Sequence, residues 1–132
     1  MRTQGPVTPL GAFTQDAANS LLAGPFNVLS ASQAIDPHTP ARYIITKPTN
    51  PAALTLAAPT AGTDDGVLLE FISATAVAHT ITTPAAGDIR DGNTSDHDTV
   101  ATFAAHIGAN CTLLAYNGVW YVIAEIGVSL SS

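Results

Sequence analysis

Short apolar runs broken by turn-forming residues fill the chain from Phe26 onward. Val, Ile, Leu, Thr and Tyr are concentrated in the runs, and Pro, Gly, Asn or Asp separates one run from the next. This pattern is typical of short β-strands joined by turns. Nine strands are predicted: Phe26–Ser30, Arg42–Lys47, Ala53–Ala57, Val67–Ser73, His79–Thr83, Thr99–Ala104, Thr112–Tyr116, Val119–Ala124 and Val128–Leu130.

The number and shortness of these runs predict an all-β fold. We expect an antiparallel β-sandwich or jelly-roll-like domain of about eight or nine short strands, with a small barrel as the alternative. Residues 26–132 would form this domain, and residues 1–25, rich in Pro and small residues, would form an extended N-terminal arm. The segment Ala101–Ile107 also fits a helical spacing.

One stretch of the chain resembles another. Thr55–Gly62 reads TLAAPTAG and Thr80–Gly87 reads TITTPAAG. In each copy a strand ends at Pro, which cannot donate a hydrogen bond to a sheet, and a Gly turn follows. Two copies are too few to predict a solenoid. We interpret them as two similar strand ends on one side of the domain.

The segment Leu113–Ile123, LLAYNGVWYVI, predicts a β-hairpin. Asn117 and Gly118 separate two apolar runs, and both residues tolerate the positive φ angles that a type I′ turn requires. This turn fixes the register of the two strands. The predicted cross-strand pairs are Tyr116–Val119, Ala115–Trp120, Leu114–Tyr121, Leu113–Val122 and Thr112–Ile123.

The two faces of this hairpin are both apolar. The face assigned to the core carries Leu113, Trp120 and Val122, and the small Ala115 leaves room for the indole opposite it. The other face carries Leu114, Tyr116, Val119, Tyr121 and Ile123. Because the outer face of a sheet is usually polar, we expect this second face to be covered. The domain's own loops or a subunit interface would cover it.

The chain is poor in charge. Only 11% of its residues are charged, whereas soluble domains carry about 25%. This composition favours a surface covered by other copies or by a larger assembly. The net charge is −6, with Arg2, Arg42, Lys47 and Arg90 as its cations. These scattered cations disfavour nucleic acid and an anionic membrane as partners.

Features of targeting and compartment are few. No apolar run is long enough for a transmembrane helix, and the N-terminal residues have no apolar core typical of a secretory signal. The single cysteine, Cys111, allows no internal disulfide and is compatible with synthesis in a cytoplasm.

Candidate chemistry is sparse, and no catalytic, cofactor or metal residues are predicted. The acidic loop Gly87–Asp98 holds four acids and His97, but its spacing does not match an EF-hand. A solvated turn is the expected structure, with a bound cation as the alternative. The other histidines are dispersed, and Cys111 falls on the inward side of a strand, where it would be a small apolar residue and not a nucleophile.

The acidic residues near the middle of the chain have structural interpretations. Asp64 and Asp65 precede Gly66 and are expected in a turn before the next strand. Glu70 shares a strand face with Leu68 and Ile72, and we expect it to be an edge charge or the ion-pair partner of Lys47.

The chain also resembles a known family. Residues 58–84 (APTAGTDDGVLLEFISATAVAHTITTP) and 99–131 (TVATFAAHIGANCTLLAYNGVWYVIAEIGVSLS) are similar to the small β-domain decoration, or cement, proteins of tailed-bacteriophage heads. The similar features are the PxAGTxDG turn, the AHTxTTP strand end, the FxAxxG step and the NGxWYV hairpin. The likeness covers residues 52–131, and the acidic insertion Asp88–Asp98 departs from it.

The resemblance implies a structural virion protein without catalytic activity. It would bind the outer capsid surface at capsomer junctions as an oligomer, a trimer by the family resemblance, with the major capsid protein as its partner. We expect the arm to contact the capsid through Arg2, Val7, Leu10, Phe13, Leu21 and Leu22. The first alternative is a tail-fibre or head-fibre domain that binds a receptor or carbohydrate, which requires Trp120 on the surface. The second is a small hydrolase that uses Cys111 as nucleophile with His79 or His106 as its partner.

Overall fold

Alternating exposed and buried side chains mark the strands in the computed structural model, which describes residues 25–85, 88–92 and 98–131. These residues form eleven strands and no helix. The strands are β1 (Asn27–Leu29), β2 (Ala34–Ile35), β3 (Ala41–Ile45), β4 (Ala53–Leu56), β5 (Leu68–Ser73), β6 (Thr80–Thr82), β7 (Ile89–Arg90), β8 (Val100–Phe103), β9 (Asn110–Tyr116), β10 (Val119–Ile126) and β11 (Val128–Ser131).

The strands form two sheets. The six-stranded sheet has the order β1-β3-β5-β9-β10-β7, and the five-stranded sheet has the order β11-β8-β6-β4-β2. The inner faces of both sheets supply one apolar core. Its largest fully buried side chains include Trp120, Phe71 and Phe103. The all-β, sandwich-like fold predicted from the sequence is therefore confirmed.

The first six strands wind as a spiral. The chain alternates between the sheets, so β1, β3 and β5 lie side by side in one sheet and β2, β4 and β6 lie side by side in the other. Neighbours within each set are parallel. The later strands pair antiparallel between β6, β8 and β11 and between β5, β9 and β10. The exception is β10, which pairs in parallel with the short strand β7 at the edge of the sheet.

This mixed pairing corrects the expectation of a wholly antiparallel sandwich. Strand composition and periodicity are the same for a half-buried strand in either direction, so the sequence pattern carried no signal for direction. The nine predicted strands are all present with small shifts at their ends. The strands β2 and β7 were missed because each has only two residues, too few for an alternating pattern.

The two similar sequence stretches belong to neighbouring strands. They begin within β4 and β6, which run parallel, and both strands therefore end on the same side of the domain, as interpreted from the sequence. The structural register differs from the sequence similarity by two residues, because Leu54 and not Leu56 pairs with Ile81. Both leucines are inward and buried, and a shift of two residues preserves the face of every side chain.

The segment Ala101–Ile107 is not helical. Residues up to Phe103 form β8, which pairs with β6 on one side and β11 on the other. Ala101 and Phe103 are both fully buried, as expected for alternate residues of a strand that face the core. The predicted N-terminal arm, apart from Pro25, lies outside the described residues.

Candidate functional site

The outer face of the six-stranded sheet carries the densest set of exposed apolar side chains among the described residues. We call it the apolar face. It includes side chains from every strand of this sheet except β7: Val28, Ile44, Leu68, Ile72, Leu114, Tyr116, Val119, Tyr121, Ile123 and Ile126.

The terminal hairpin β9–β10 forms one part of the apolar face. Asn117 and Gly118 have φ angles of 50° and 81°, as a type I′ turn requires. The register has the predicted pairs from Tyr116–Val119 to Leu113–Val122. Tyr116 and Tyr121 are 58% and 39% exposed, so their rings are accessible on the outer side.

A β-bulge interrupts the hairpin at Ile123. Thr112 pairs with Ala124, so the predicted pair Thr112–Ile123 is wrong. A bulge inserts one unpaired residue, and the period-2 pattern of an all-apolar strand does not reveal it. Ile123 is left unpaired in the ladder and is 54% exposed. The apolar face therefore continues past the bulge to Ile126.

The strand β5 extends the apolar face beyond the hairpin. Leu68 pairs with Leu114 and Ile72 pairs with Asn110, so both side chains of β5 share the outer side of the sheet with the hairpin. Each is 36% exposed. The alternation of Leu68, Glu70 and Ile72 indicated a common strand face in the sequence, but only the pairing of β5 with β9 joins this face to the hairpin.

One ion pair interrupts the apolar face. Arg42 and Glu70 are register partners on β3 and β5, and Arg42 Nε donates to Glu70 Oε1 at 2.8 Å. The expectation that Glu70 pairs with Lys47 is wrong, because Lys47 Nζ donates to the carbonyls of Thr49 and Asn50. The pairing leaves no net charge on this part of the face.

The loop before β5 holds the tip of the hairpin. Asp65 Oδ1 accepts hydrogen bonds from the amides of Gly62 and Asn117, at 3.1 and 2.8 Å. The Gly66 amide donates to the Ala115 carbonyl at 2.8 Å. The turn predicted around Asp65 therefore positions the hairpin that carries much of the apolar face.

Asp64, the neighbour of Asp65, is buried inside the same loop. Its Oδ2 accepts the amide of Thr60 at 2.7 Å and lies 2.8 Å from Nδ1 of His38. The hydrogen bond from Thr60, with His38 as a further contributor, lowers the pKa of Asp64 below its ordinary value. This contact ties the β2–β3 connection to the loop, which is a structural role for Asp64.

The inner face of the hairpin closes the core. Leu113 and Trp120 are fully buried, and the half-buried Val122 packs against the core. Trp120 lies opposite Ala115, and its indole Nε1 donates to the carbonyl of Ala57 at 2.9 Å. Trp120 therefore presents no ring to the surface.

The candidate nucleophile Cys111 is inaccessible. It is buried, and burial raises the pKa of its thiol to about 12. The thiolate is the reactive form of cysteine, so this side chain is not activated for nucleophilic attack. Its suggested partner His79 is also fully buried and uses both ring nitrogens in other contacts.

The acidic loop is described only in part, because residues 93–97, including His97, lie outside the described residues. Asp98 is buried and forms a bridge with Ile89. Burial, with smaller effects of Asp91 and Asp98, raises the pKa of Glu125 on β10. Within residues 25–85, 88–92 and 98–131, no group of three or more His, Cys, Asp or Glu side chains is arranged to hold a metal ion.

A cleft of ≈490 Å³ lies at the β1 and β2 end of the sheets. Its charged lining residues are Asp36 and Arg42, and neither His nor Cys lines it. Asp36 Oδ1 accepts the amide of His38 in a local turn, and this bond lowers the pKa of Asp36. The carboxylate of Asp36 is therefore engaged with the backbone beside the cleft.

The remaining predicted contact residues, Arg2, Val7, Leu10, Phe13, Leu21 and Leu22, lie outside the described residues. In the part of the chain that is described, no helix has the length and apolar character needed to cross a membrane. Comparison with models of known protein families finds none that matches this chain, and comparison with curated proteins finds no match.

Proposed function

We propose that the protein is a structural virion protein that decorates and stabilises the outer surface of a phage capsid. It binds at capsomer junctions as an oligomer, a trimer by the family resemblance, with the major capsid protein and other copies of itself as partners. The observation that carries this proposal is the apolar face, which exposes large side chains on a chain that has few charges. Exposed apolar patches of this kind are typical of protein–protein interfaces.

The composition of the apolar face supports association between copies. Tyrosine and large aliphatic side chains are enriched in the buried centres of interfaces, and unpaired charges are depleted there. The apolar face contains Tyr116 and Tyr121, and its Arg42–Glu70 pair brings opposite charges together. The outer face of the five-stranded sheet differs, because Thr55, Thr82 and similar polar or small residues are exposed there.

The oligomer is tested by Tyr121→Glu, with Thr82→Glu as the matched control on the opposite sheet. Both positions are exposed on strands, so either glutamate leaves the core intact. In light scattering we expect the natural protein and Thr82→Glu to be oligomers of the same mass, and Tyr121→Glu to dissociate. Circular dichroism checks that both variants keep the β fold. A natural protein that is strictly monomeric and does not co-sediment with capsids would contradict the proposal.

The contribution of the arm is tested by deleting residues 1–24, all of which precede the described residues. We expect weaker co-sedimentation with capsids and an unchanged β-domain spectrum. Unchanged capsid affinity would show that residues 1–24 are not needed for capsid binding. The role of the apolar face is tested separately, by Tyr121→Glu.

A fibre domain that binds a receptor or carbohydrate is the second candidate function. Exposed Tyr116 and Tyr121 favour it, because aromatic rings at a surface stack on sugar faces. Burial of Trp120 removes the aromatic residue on which this candidate most depended. A glycan-binding screen distinguishes it: sugar binding that is abolished by Tyr121→Ala in a monomeric protein would favour the fibre domain over the capsid protein.

A further inference from the structure

His79 lies fully buried at the start of β6, with both ring nitrogens in hydrogen bonds. The backbone amide of Ala52 donates to Nδ1 at 3.0 Å. On the other side of the ring, Nε2 lies 2.8 Å from the hydroxyl of Thr75. That hydroxyl donates to the carbonyl of Lys47 at 2.9 Å.

These partners fix the proton on the ring. A backbone amide can only donate, so Nδ1 must be its unprotonated acceptor. Nε2 then carries the proton and donates it to Thr75 Oγ1, whose own proton is used on the Lys47 carbonyl. The ring is therefore neutral, and each polar atom in this chain of contacts has a partner.

The ring holds both ends of one connection. Residues 46–52 join β3 in one sheet to β4 in the other. Lys47 lies near the start of this connection and is linked to His79 through Thr75, whereas Ala52 ends the connection and binds His79 directly. The backbone on each side of His79 is also fixed, because Thr80 donates to Ala52 O and Phe103 donates to His79 O.

We propose that His79 is an acid-sensitive latch: protonation of its ring releases the connection formed by residues 46–52 while the central strands remain paired. A second ring proton would sit on Nδ1, facing the Ala52 amide at the distance where a hydrogen bond now lies. Two donors would then oppose each other in a buried site, and neither would have an acceptor.

The surroundings of the ring also oppose a positive charge. Burial lowers the pKa of His79, and the positive charge of Lys47, which repels a positive charge on the ring, lowers it further. The other groups in contact with the ring, the Thr75 hydroxyl and the Ala52 amide, do not titrate. The strands β4, β6 and β8 and the connections 46–52 and 74–78 contain no Asp or Glu, so none of them supplies a carboxylate to stabilise an imidazolium.

The sign of the pH dependence follows from these contacts. Burial, reinforced by Lys47, lowers the pKa of His79 below its ordinary value of 6.5. The unfolded or opened chain binds the ring proton more tightly than the folded chain does. The stabilisation that the neutral His79 ring provides is therefore fully present above pH 6.5. It is lost as the pH falls below about 6.5 toward the folded pKa.

Hydrogen exchange of individual amides, measured by NMR on the full chain between about pH 7.5 and about pH 5, tests the latch. We expect the protection factor of Ala52 to fall with acid, by as much as about tenfold per pH unit at the limit of one linked proton. The amide of Leu113 in the central strand β9 should keep its protection. The nitrogen shifts of His79 should show the Nε2–H tautomer at neutral pH and titrate together with the loss at Ala52.

His79→Gln is the diagnostic variant, because an amide side chain keeps an acceptor and a donor but does not titrate. Its Ala52 protection should be independent of pH, whereas the exposed control His106→Gln should behave as the natural protein. Constant Ala52 protection in the natural protein would overturn the latch. An equal loss of amide protection at Leu113, or an Nδ1–H tautomer of His79 at neutral pH, would also overturn it. The same holds if folded His79→Gln keeps the full pH dependence of Ala52 protection. If His79→Gln does not fold, the nitrogen shifts of His79 in the natural protein are the test: they must titrate over the same pH range as the loss of Ala52 protection, and titration over a different range would overturn the latch.

Discussion

Trp120 provides the sharpest test of how the hairpin closes the core. It is fully buried, and its indole donates to the Ala57 carbonyl at 2.9 Å. We consider Trp120→Phe, which keeps an aromatic ring but removes the N–H and the pyrrole part of the side chain. The substitution leaves the Ala57 carbonyl without this donor and opens a cavity over Ala115, its register partner.

The magnitude follows from these two losses. Because Ala57 is exposed, water can replace the lost donor, and the loss is that of an ordinary hydrogen bond, about 0.5–1.5 kcal/mol. Removal of the additional buried carbon atoms costs on the order of 1 kcal/mol. We therefore expect Trp120→Phe to lower the free energy of unfolding by about 1.5–2.5 kcal/mol. This is a large part of the about 5–15 kcal/mol that is typical of a domain.

Urea unfolding followed by circular dichroism measures this loss in both proteins. The natural protein has a single Trp, so its fluorescence provides a second, local probe that should be blue-shifted and resistant to quenchers before unfolding. Tyr121→Phe is the matched control, because this neighbour is partly exposed and should change stability by less than about 0.5 kcal/mol. A loss below about 0.5 kcal/mol for Trp120→Phe, or a quenchable native Trp, would refute the packing described for the hairpin.

Three further predictions concern separate parts of the fold. Burial of the Cys111 thiol predicts that a thiol reagent labels the native protein at a rate limited by unfolding, and rapid labelling at neutral pH would contradict this. Asn117→Ala should lower the free energy of unfolding by about 1–2 kcal/mol, because Ala tolerates the φ of 50° poorly; Asn117→Gly is the control and should lose less in the same urea titration. Glu70→Gln removes the partly exposed ion pair with Arg42 and should change stability by less than about 1 kcal/mol. A larger loss in urea unfolding would mean that the pair is more strongly coupled to its surroundings than its exposure indicates.

The hairpin shows how far sequence reasoning extends. The Asn117–Gly118 turn is a local signal, so it predicted the register as far as Leu113–Val122. The bulge at Ile123 lies beyond the reach of that signal, because an extra residue in a continuous apolar run leaves the composition unchanged. The outer-face residues before the bulge lie where the predicted register places them, whereas Ile123 is exposed at the bulge itself. Leu68 and Ile72 join this face through a pairing between strands distant in sequence.

Long-range pairing explains what the sequence did not reveal. The partner of Glu70 is Arg42, 28 positions away and level with it in the parallel ladder, and not Lys47, which is nearer in the sequence. The sequence offered His79 as a possible partner of Cys111 and not as a buried structural residue, because its contacts come from Lys47, Ala52 and Thr75. Pattern and turn chemistry predict strands and local turns, whereas the neighbours of each strand depend on how the whole chain winds.

The winding of the first six strands has a consequence for how this protein tolerates changes in length. Asn27 pairs with Tyr43, 16 residues later, whereas Ala41 pairs with Leu69, 28 residues later. Successive turns of the spiral thus contain different numbers of residues and still keep their parallel strand pairing. The additional residues lie in the connections at the rim of the two sheets. Surface loops accept insertions more readily than strands do. A foreign peptide placed in the connection between Ala57 and Val67 would lie next to the hairpin, so the better site for displaying one is residues 30–31 between β1 and β2. The two residues that follow, Ser32 and Gln33, should be kept, because they accept hydrogen bonds from the amides of Ala53 and Thr55.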